Sequence, residues 1–298
     1  MDLVNSVLVS TLNCATPLLF AALGGLVAQR AGVLNIGIEG MMLIGAFAAL
    51  VVSHITGNVG VALFGGIVAS SLLALVFCLF TITLRANPIV VGLALNIGAT
   101  GLVGYILPLA FSVQGTFRPS GLQVLERFTL TPLSEIPLFG ALFTNHTFLV
   151  YLSWLCVPLV AFLLHRTVWG IRLRAVGEGV EAAHSAGIHT AALQYSAVLF
   201  SAVFASLAGA QLSIGELSLF SKEMTAGRGF IALAAFYFGS CQPWPTAWAC
   251  LLFGFFEAIQ YRLQLFGIPP QIVQMIPYLS VVVTLTLVQV RKYRSRLA

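Results

Sequence analysis

The sequence predicts an all-α membrane protein, a helical bundle of about eight to ten spans that includes broken or re-entrant helices. The first observation is composition. Of the 298 residues, 59% are hydrophobic and only 8% are charged, and the mean hydropathy is +1.00. Soluble domains carry roughly 25% charged residues. The chain therefore belongs to the membrane class.

The second observation is the length of the intervals that contain no Asp, Glu, Lys or Arg. A spanning helix needs about 20 apolar residues, and one of these intervals is long enough for two passes. Transmembrane β-strands are short and alternating, so a barrel is excluded. The uncharged intervals are 3–29, 40–84, 86–117, 136–165, 182–215, 229–256 and 263–290.

One interval, 229–256, contains the sequence Cys241-Gln242-Pro243-Trp244-Pro245. Proline inside a helix removes a backbone hydrogen bond and clashes with the preceding turn. The prolines therefore predict a short element followed by a full span, which brings the count to about nine.

Basic residues are concentrated in two places, and this concentration predicts the orientation. Arg166, Arg172 and Arg174 lie in one loop, and the tail after residue 290 is also basic. Cytoplasmic segments carry the excess of Lys and Arg. The loop 166–190 is therefore predicted inside, and 112–146 and 216–228 outside. The net charge of +5 is explained in this way, so no nucleic-acid partner is expected. No removable signal peptide is expected either, since the N-terminus, Met1-Asp2, lacks a basic region.

The stretch "GVLNIGIEGMM", residues 32–42, places polar groups within an apolar segment. Non-helical backbone at membrane depth must be buried in protein or line a water-filled cavity, and the glycines favour such a break. If the segment is instead helical, Asn35 and Glu39 share one face. An intramembrane carboxylate indicates a functional site. Our preferred hypothesis is that Asn35, Gly37, Glu39 and Gly40 help form a pathway or its cytoplasmic gate. Placement of Glu39 at a helix end near the interface remains open.

Other polar residues within the apolar intervals need partners. Asn96 faces the same pathway or bonds to a neighbouring helix, and the sequence does not choose between these. For Arg228 an ion pair with Glu39 is the alternative, but extracellular interfacial anchoring is favoured. Glu257, Tyr261 and Gln264 recur at i, i+4 and i+7 and form a polar stripe. We assign the stripe first to helix packing or to a subunit interface, and second to a pathway.

The loop 166–190 is more organised than a simple connector. Glycines interrupt it at several positions. Residues 178–186 are predicted to form a short helix with Glu178 and Glu181 in the first turn, where the helix dipole favours carboxylates. Ala182, Ala183 and Ala186 would form a small face that suits docking into a groove of another protein. An amphipathic connector at the lipid interface is the open alternative.

Several segments carry a family resemblance. "GIRLRAVGEGVEAAHSAGI" resembles the cytoplasmic coupling segment of permease subunits in ATP-binding-cassette importers, in the ribose, branched-chain amino acid and nucleoside permease family. "AALGGLVAQRAGVLNIGIEGMMLIGAFAAL", "RANPIVVGLALNIGATGL" and "TAGRGFIALAAFYFG" are similar to its nucleoside and simple-sugar branch. Departures are Gln29, where an acidic residue is expected, and Gly179-Val180, where Asn-Pro is more usual.

This resemblance implies a type II importer-like fold with a single permease domain over 1–298, a coupling segment at 166–190 and an extracytoplasmic loop at 112–146. It implies an ATPase subunit, a second and different permease chain, an extracytoplasmic binding protein and a bacterial inner membrane. Nucleosides or related polar solutes are the expected cargo, with ribose-like sugars and an ion-driven secondary transporter as alternatives. The residues expected to couple to the ATPase are Arg174, Gly177, Glu178, Glu181, Ala182, Ala183 and Gly187.

Motifs for chemistry are absent from the sequence. No Gly-x-x-x-x-Gly-Lys-Ser/Thr occurs, so ATP and Mg²⁺ are expected on the partner ATPase, and this chain is expected to bind no cofactor and to be no enzyme. The five histidines and five cysteines are scattered and show no metal-ligand spacing. No metal site is expected.

Overall fold

The computed structural model describes residues 2–113, 115–119, 122–128 and 146–264, with single helical positions at 275, 279, 282 and 286. The first half contains four long helices. These are α1 (Asp2–Arg30), α2 (Ile38–Thr56), α3 (Val59–Cys78, continued by the π-helical turn Leu79–Thr83) and α4 (Pro88–Phe111).

The second half contains shorter helices among the long ones. In chain order these are α5 (Phe148–Arg166), α6 (Val168–Glu178), α7 (Val180–Ser185), α8 (Thr190–Ala210, continued by the π-helical Gln211–Leu217), α9 (Arg228–Phe238) and α10 (Pro243–Gln264).

Four two-residue strands lie in the connections: β1 (Thr116–Phe117), β2 (Arg127–Phe128), β3 (His146–Thr147) and β4 (Phe220–Ser221). β1 pairs antiparallel with β4, and β2 pairs antiparallel with β3. The first pairing joins two segments that the charge pattern assigned to the same, outer side of the membrane.

Six described helices are long and apolar enough to cross a membrane, which confirms the all-α, multi-pass bundle. They are Asn5–Arg30, Ile38–Thr56, Val59–Thr83, Pro88–Phe111, Phe148–Arg166 and Thr190–Leu217. The span predicted at 263–290 and most of the loop 112–146 lie outside the described residues.

Sequence features explain two helix boundaries. Residues 40–84 divide at Gly57, whose φ is 62°, and at Asn58, whose side-chain oxygen accepts the N–H groups of Gly60 and Val61 and so caps α3. The predicted break near Cys241 is also present, because α9 ends at Phe238 and α10 begins at Pro243. Proline is favoured in the first helical turn, where its missing N–H would be unpaired in any case.

Helix α1 lies at the centre of the bundle and packs against α8, α9 and α10, while α2 packs against α3 and α8. Small residues allow these close contacts. At Gly209 of α8, an added Cβ would lie 2.1 Å from the carbonyl oxygen of Met42. By contrast, α3 and α4 expose large apolar side chains such as Phe64 and Ile97. These two helices therefore lie on the outside of the described bundle.

Candidate functional site

The connection between α1 and α2 is non-helical at residues 33–35, and Asn96 of α4 holds it in place. The Asn96 Oδ1 atom accepts the N–H of Gly40 at 2.8 Å, and its Nδ2 atom donates to the carbonyl of Ile36 at 3.0 Å. The amide thus satisfies backbone groups on both sides of the start of α2, as membrane depth requires. The alternative of a continuous helix through this stretch is wrong.

The other predicted residues of this stretch are packed inside the bundle. Asn35 is only 1% exposed and donates to the Ser201 hydroxyl of α8 at 3.1 Å. Gly37 lies against α4, where an added Cβ at Gly92 would be 2.9 Å from the Gly37 nitrogen. The break is therefore a rigid joint between α2, α4 and α8.

Glu39 caps the N-terminus of the short helix α9. Its Oε1 atom accepts the N–H of Gly227 at 2.9 Å, and its Oε2 atom accepts the N–H of Gly229 at 2.6 Å. A carboxylate at this end is stabilised by the helix dipole and by N–H groups that have no partner within the helix. A Cβ at Gly229 would lie 2.6 Å from Glu39 Oε2, so the contact needs glycine there.

Arg228 pairs with Glu257 of α10, so the alternative of an ion pair with Glu39 is wrong. Arg228 Nε donates to Glu257 Oε1 at 2.8 Å, and the guanidinium also donates to the Met224 carbonyl and to the Tyr261 hydroxyl. The Arg228 side chain is only 12% exposed, which does not fit the favoured role of surface anchor. The polar stripe on α10 is thus a packing contact, as predicted.

A polar cavity of about 260 Å³ lies beside Glu39. Leu43 of α2 adds an apolar patch to its wall, and Lys222 lies along α4, within 3.0 Å of where a Cβ at Gly104 would be. The cavity offers carboxylate, amide, hydroxyl and ammonium groups together. Its lining residues are Glu39, Gly40, Leu43, Asn96, Thr100, Lys222, Glu223, Thr225, Ala226 and Gly227.

Comparison with known proteins shows the family. A family model described as "Branched-chain amino acid transport system / permease component" matches residues 7–286. The chain belongs to this permease family. Its members are transport subunits rather than enzymes, and membership implies an ATPase partner and a lipid bilayer.

Three relatives of the permease are similar over nearly their whole length. The putative glucose ABC transporter permease protein TsgC13 of Haloferax volcanii is 34% identical, over 100% of this chain and 96% of its own. The nucleoside ABC transporter permease protein NupC of Lactococcus lactis is 33% identical, over 96% of this chain and 94% of its own length. The guanosine ABC transporter permease protein NupQ of Bacillus subtilis is 33% identical, over 96% of this chain and 93% of its own length. No solved structure matches the chain.

The residues predicted to couple the permease to its ATPase lie on two different helices, and some are buried whereas others are exposed. The short helix α7 begins at Val180, and Glu178 ends α6, so the prediction of a helix from Glu178 is wrong by two residues. Ala183 is 5% exposed and packs inward, whereas Ala182 is exposed. The three alanines therefore do not form one docking face.

Residues of α6 also contact the bundle itself. A Cβ at Gly177 would lie 2.1 Å from the Arg30 carbonyl oxygen, and Arg174 has a buried Nε atom. Glu178, Glu181, Ala182 and Gly187 are exposed. An ATPase contact through these exposed residues remains a prediction.

Several residues in and around the polar cavity are not predicted from the sequence. Thr100 and Lys222 line it, and the N–H groups of Gly227 and Gly229 bind Glu39. The sequence signal for them is the pair of glycines flanking Arg228 in "AGRGF", since glycine lets another chain segment approach the backbone closely. Among the described residues, no group of three His, Cys, Asp or Glu side chains is placed to hold a metal.

Proposed function

We propose that this permease forms the translocation pathway of an ATP-driven importer for nucleosides or related small polar solutes. The observation that supports the cargo most directly is the identity of 33% to a nucleoside permease and to a guanosine permease, each over 96% of this chain. Sugars are the second candidate, favoured by the 34% identity to the putative glucose permease. Relatives named as ABC permeases argue against a secondary transporter.

We place the solute pathway at the cavity beside Glu39. A nucleoside is uncharged and carries several hydrogen-bond donors and acceptors on a flat ring and a sugar. The cavity presents acceptors at Glu39, donors at Lys222 and an apolar patch at Leu43, a combination typical of small-molecule sites. The lining carries two carboxylates, at Glu39 and Glu223, and one ammonium, at Lys222, so it disfavours an anionic solute and is compatible with a neutral one.

The same proposal assigns the remaining roles to other chains. A second permease chain, different from this one, completes the pathway in a bacterial inner membrane. A binding protein delivers the solute from outside, and the ATPase binds ATP and Mg²⁺. ATP then acts on this chain by shifting the population between its two conformations.

The test is uptake by the complete complex, purified with its partner chains and reconstituted into liposomes. Radiolabelled guanosine and glucose are supplied outside with the binding protein, with or without ATP in the compartment that holds the ATPase. We expect ATP-dependent guanosine uptake that unlabelled nucleosides suppress and glucose does not. Suppression by glucose alone would favour the sugar candidate. Uptake that needs no ATP and follows a proton or sodium gradient would overturn the importer.

A further inference from the structure

A second cavity, of about 250 Å³, lies between the coupling segment and the bundle. It shares no lining residue with the cavity beside Glu39. Three elements meet around it: the end of α1, the end of α6 and the loop that joins α9 to α10. Their lining side chains include Gln29 and Arg30, Arg174 and Glu178, and Ser240 and Cys241.

The charge in this second cavity is unbalanced. Arg30 and Arg174 contribute two guanidinium groups, and Glu178 contributes the one carboxylate of the lining. Within the described part of the chain, no ion pair joins Glu178 to either arginine. The lining therefore has a formal charge of +1, and the carboxylate does not neutralise the arginines at contact distance.

Polar atoms of the lining lack partners. Arg174 Nε and Gln29 Oε1 are both buried and have no hydrogen-bond partner. Leaving a buried donor unpaired is costly, and more so when it belongs to a charged group. Arg174 and Arg30 both line a cavity with excess positive charge, and the Arg174 guanidinium is not fully hydrogen-bonded within the protein; this combination favours an anionic ligand.

Arg30 is held in place at the cavity by the α9–α10 loop. Its Nε atom donates to the Cys241 carbonyl at 2.8 Å and its Nη2 atom to the Ser240 carbonyl at 3.4 Å. Both loop residues have φ of 52°, an uncommon conformation for residues other than glycine. The loop fixes one edge of the guanidinium and leaves its other N–H groups for a ligand.

We propose that this second cavity binds a small oxyanion, a phosphate group, between Arg30 and Arg174. Arginine is suited to phosphate because its planar fork of donors matches the phosphate oxygens. The two arginines come from α1 and α6, which are already in backbone contact at Gly177. A bound phosphate would therefore join the coupling segment to the bundle. Its source is inorganic phosphate or a phosphate ester such as a nucleoside monophosphate.

The test is equilibrium binding of radiolabelled orthophosphate to the intact permease–ATPase complex in nanodiscs, without nucleotide and at constant ionic strength. We expect saturable binding that Arg174→Gln weakens by about tenfold or more, through loss of a charged hydrogen bond. Arg172→Gln is the matched control, since Arg172 is exposed and does not line the cavity. Equal loss in both variants would overturn the site.

A third variant removes the ambiguity of a misfolded protein. Glu178→Gln deletes the one carboxylate of the lining and is expected to tighten phosphate binding several-fold, because like charge near the anion is removed. Unchanged or weaker binding in this variant would contradict the proposal. Phosphate should also raise the unfolding temperature of the wild-type complex, and much less that of Arg174→Gln.

Competition identifies the source of the phosphate. Because the nucleotide sites of the ATPase also bind phosphate, displacement is measured only on the part of the binding that Arg174→Gln removes. For that part, stronger displacement by a nucleoside monophosphate than by unlabelled orthophosphate indicates an ester, and the reverse indicates the free ion; either supports the site. Phosphate binding that is the same in the wild-type complex and in Arg174→Gln overturns the site, the result expected if an acidic side chain of the ATPase fills the cavity. These measurements need no transported solute, so they stand apart from the proposed cargo.

Discussion

At the scale of single residues, Glu39 is the group that joins the broken segment to another element. Both of its carboxylate oxygens accept backbone N–H groups at the start of α9. In Glu39→Gln one of these oxygens becomes a donor, so one glycine N–H loses its partner and the charge at the helix end disappears. We expect ATP-dependent uptake to fall about tenfold, the equivalent of one lost charged hydrogen bond, while the complex still assembles.

Reconstituted uptake measures this effect, with co-purified ATPase as the check on assembly. Glu126→Gln is the matched control, because Glu126 is exposed and lies outside the polar cavity. Wild-type uptake by Glu39→Gln would remove Glu39 from the pathway.

Gly209 gives a prediction for stability rather than transport. Its Cα lies against the backbone of α2, so Gly209→Ala would force the two helices apart. We expect a loss of about 1–3 kcal/mol or more, the usual cost of overpacking. Gly98→Ala on α4 is the control, since an added Cβ there meets open space. Denaturant unfolding in detergent compares the two; equal stability would show that α2 and α8 adjust freely.

At the scale of elements, α9 is held by charge on two sides. Glu39 binds its N-terminal backbone, and Arg228 joins its first turn to Glu257 and Tyr261 of α10. Because α9 is only 11 residues long, these contacts rather than its own length fix its position. The helix also packs against α1, α2 and α10, so its position depends on both apolar packing and these charged contacts.

The ion pair between α9 and α10 is expected to be strongly coupled. Arg228→Met alone leaves the Glu257 carboxylate buried and uncompensated, which costs about 3–5 kcal/mol. Adding Glu257→Leu removes that charge, so the double variant should be more stable than the sum of the two single losses predicts. A double-mutant cycle by denaturant unfolding measures the difference. Additive losses would mean that the pair is weak.

Sequence reasoning predicted elements where local chemistry decides them. Pro243 placed the break before α10, and the glycines of residues 32–40 placed the break before α2. The partners of the charged side chains were not predictable in this way. Glu39 and the glycines it binds are 188 and 190 residues apart in the chain, and nothing local distinguishes Glu39 from Glu257 as the partner of Arg228.

At the scale of the whole molecule, backbone contacts near the end of α1 connect the predicted coupling segment to the polar cavity. Gly177 of α6 touches the Arg30 carbonyl, and Gln194 of α8 donates to the Ala31 carbonyl at 3.3 Å. Seven residues separate Arg30 from the start of α2, which carries Glu39. A displacement of α6 would thus reach Glu39 through backbone contacts. This contiguity is spatial rather than a measured energetic coupling.

The inward and outward alanines of α7 test how the whole complex assembles. Ala182 is exposed and Ala183 is buried, so tryptophan at the two neighbouring positions should act differently. If α7 is the docking helix, Ala182→Trp is expected to abolish most co-purification of the ATPase without lowering the permease's own unfolding temperature, because the added bulk would clash with the partner. Ala183→Trp is expected to lower that unfolding temperature, because an indole does not fit a packed interior. If Ala182→Trp retains the ATPase in full, α7 is not the docking helix, and the exposed residues at the end of α6 become the next candidates.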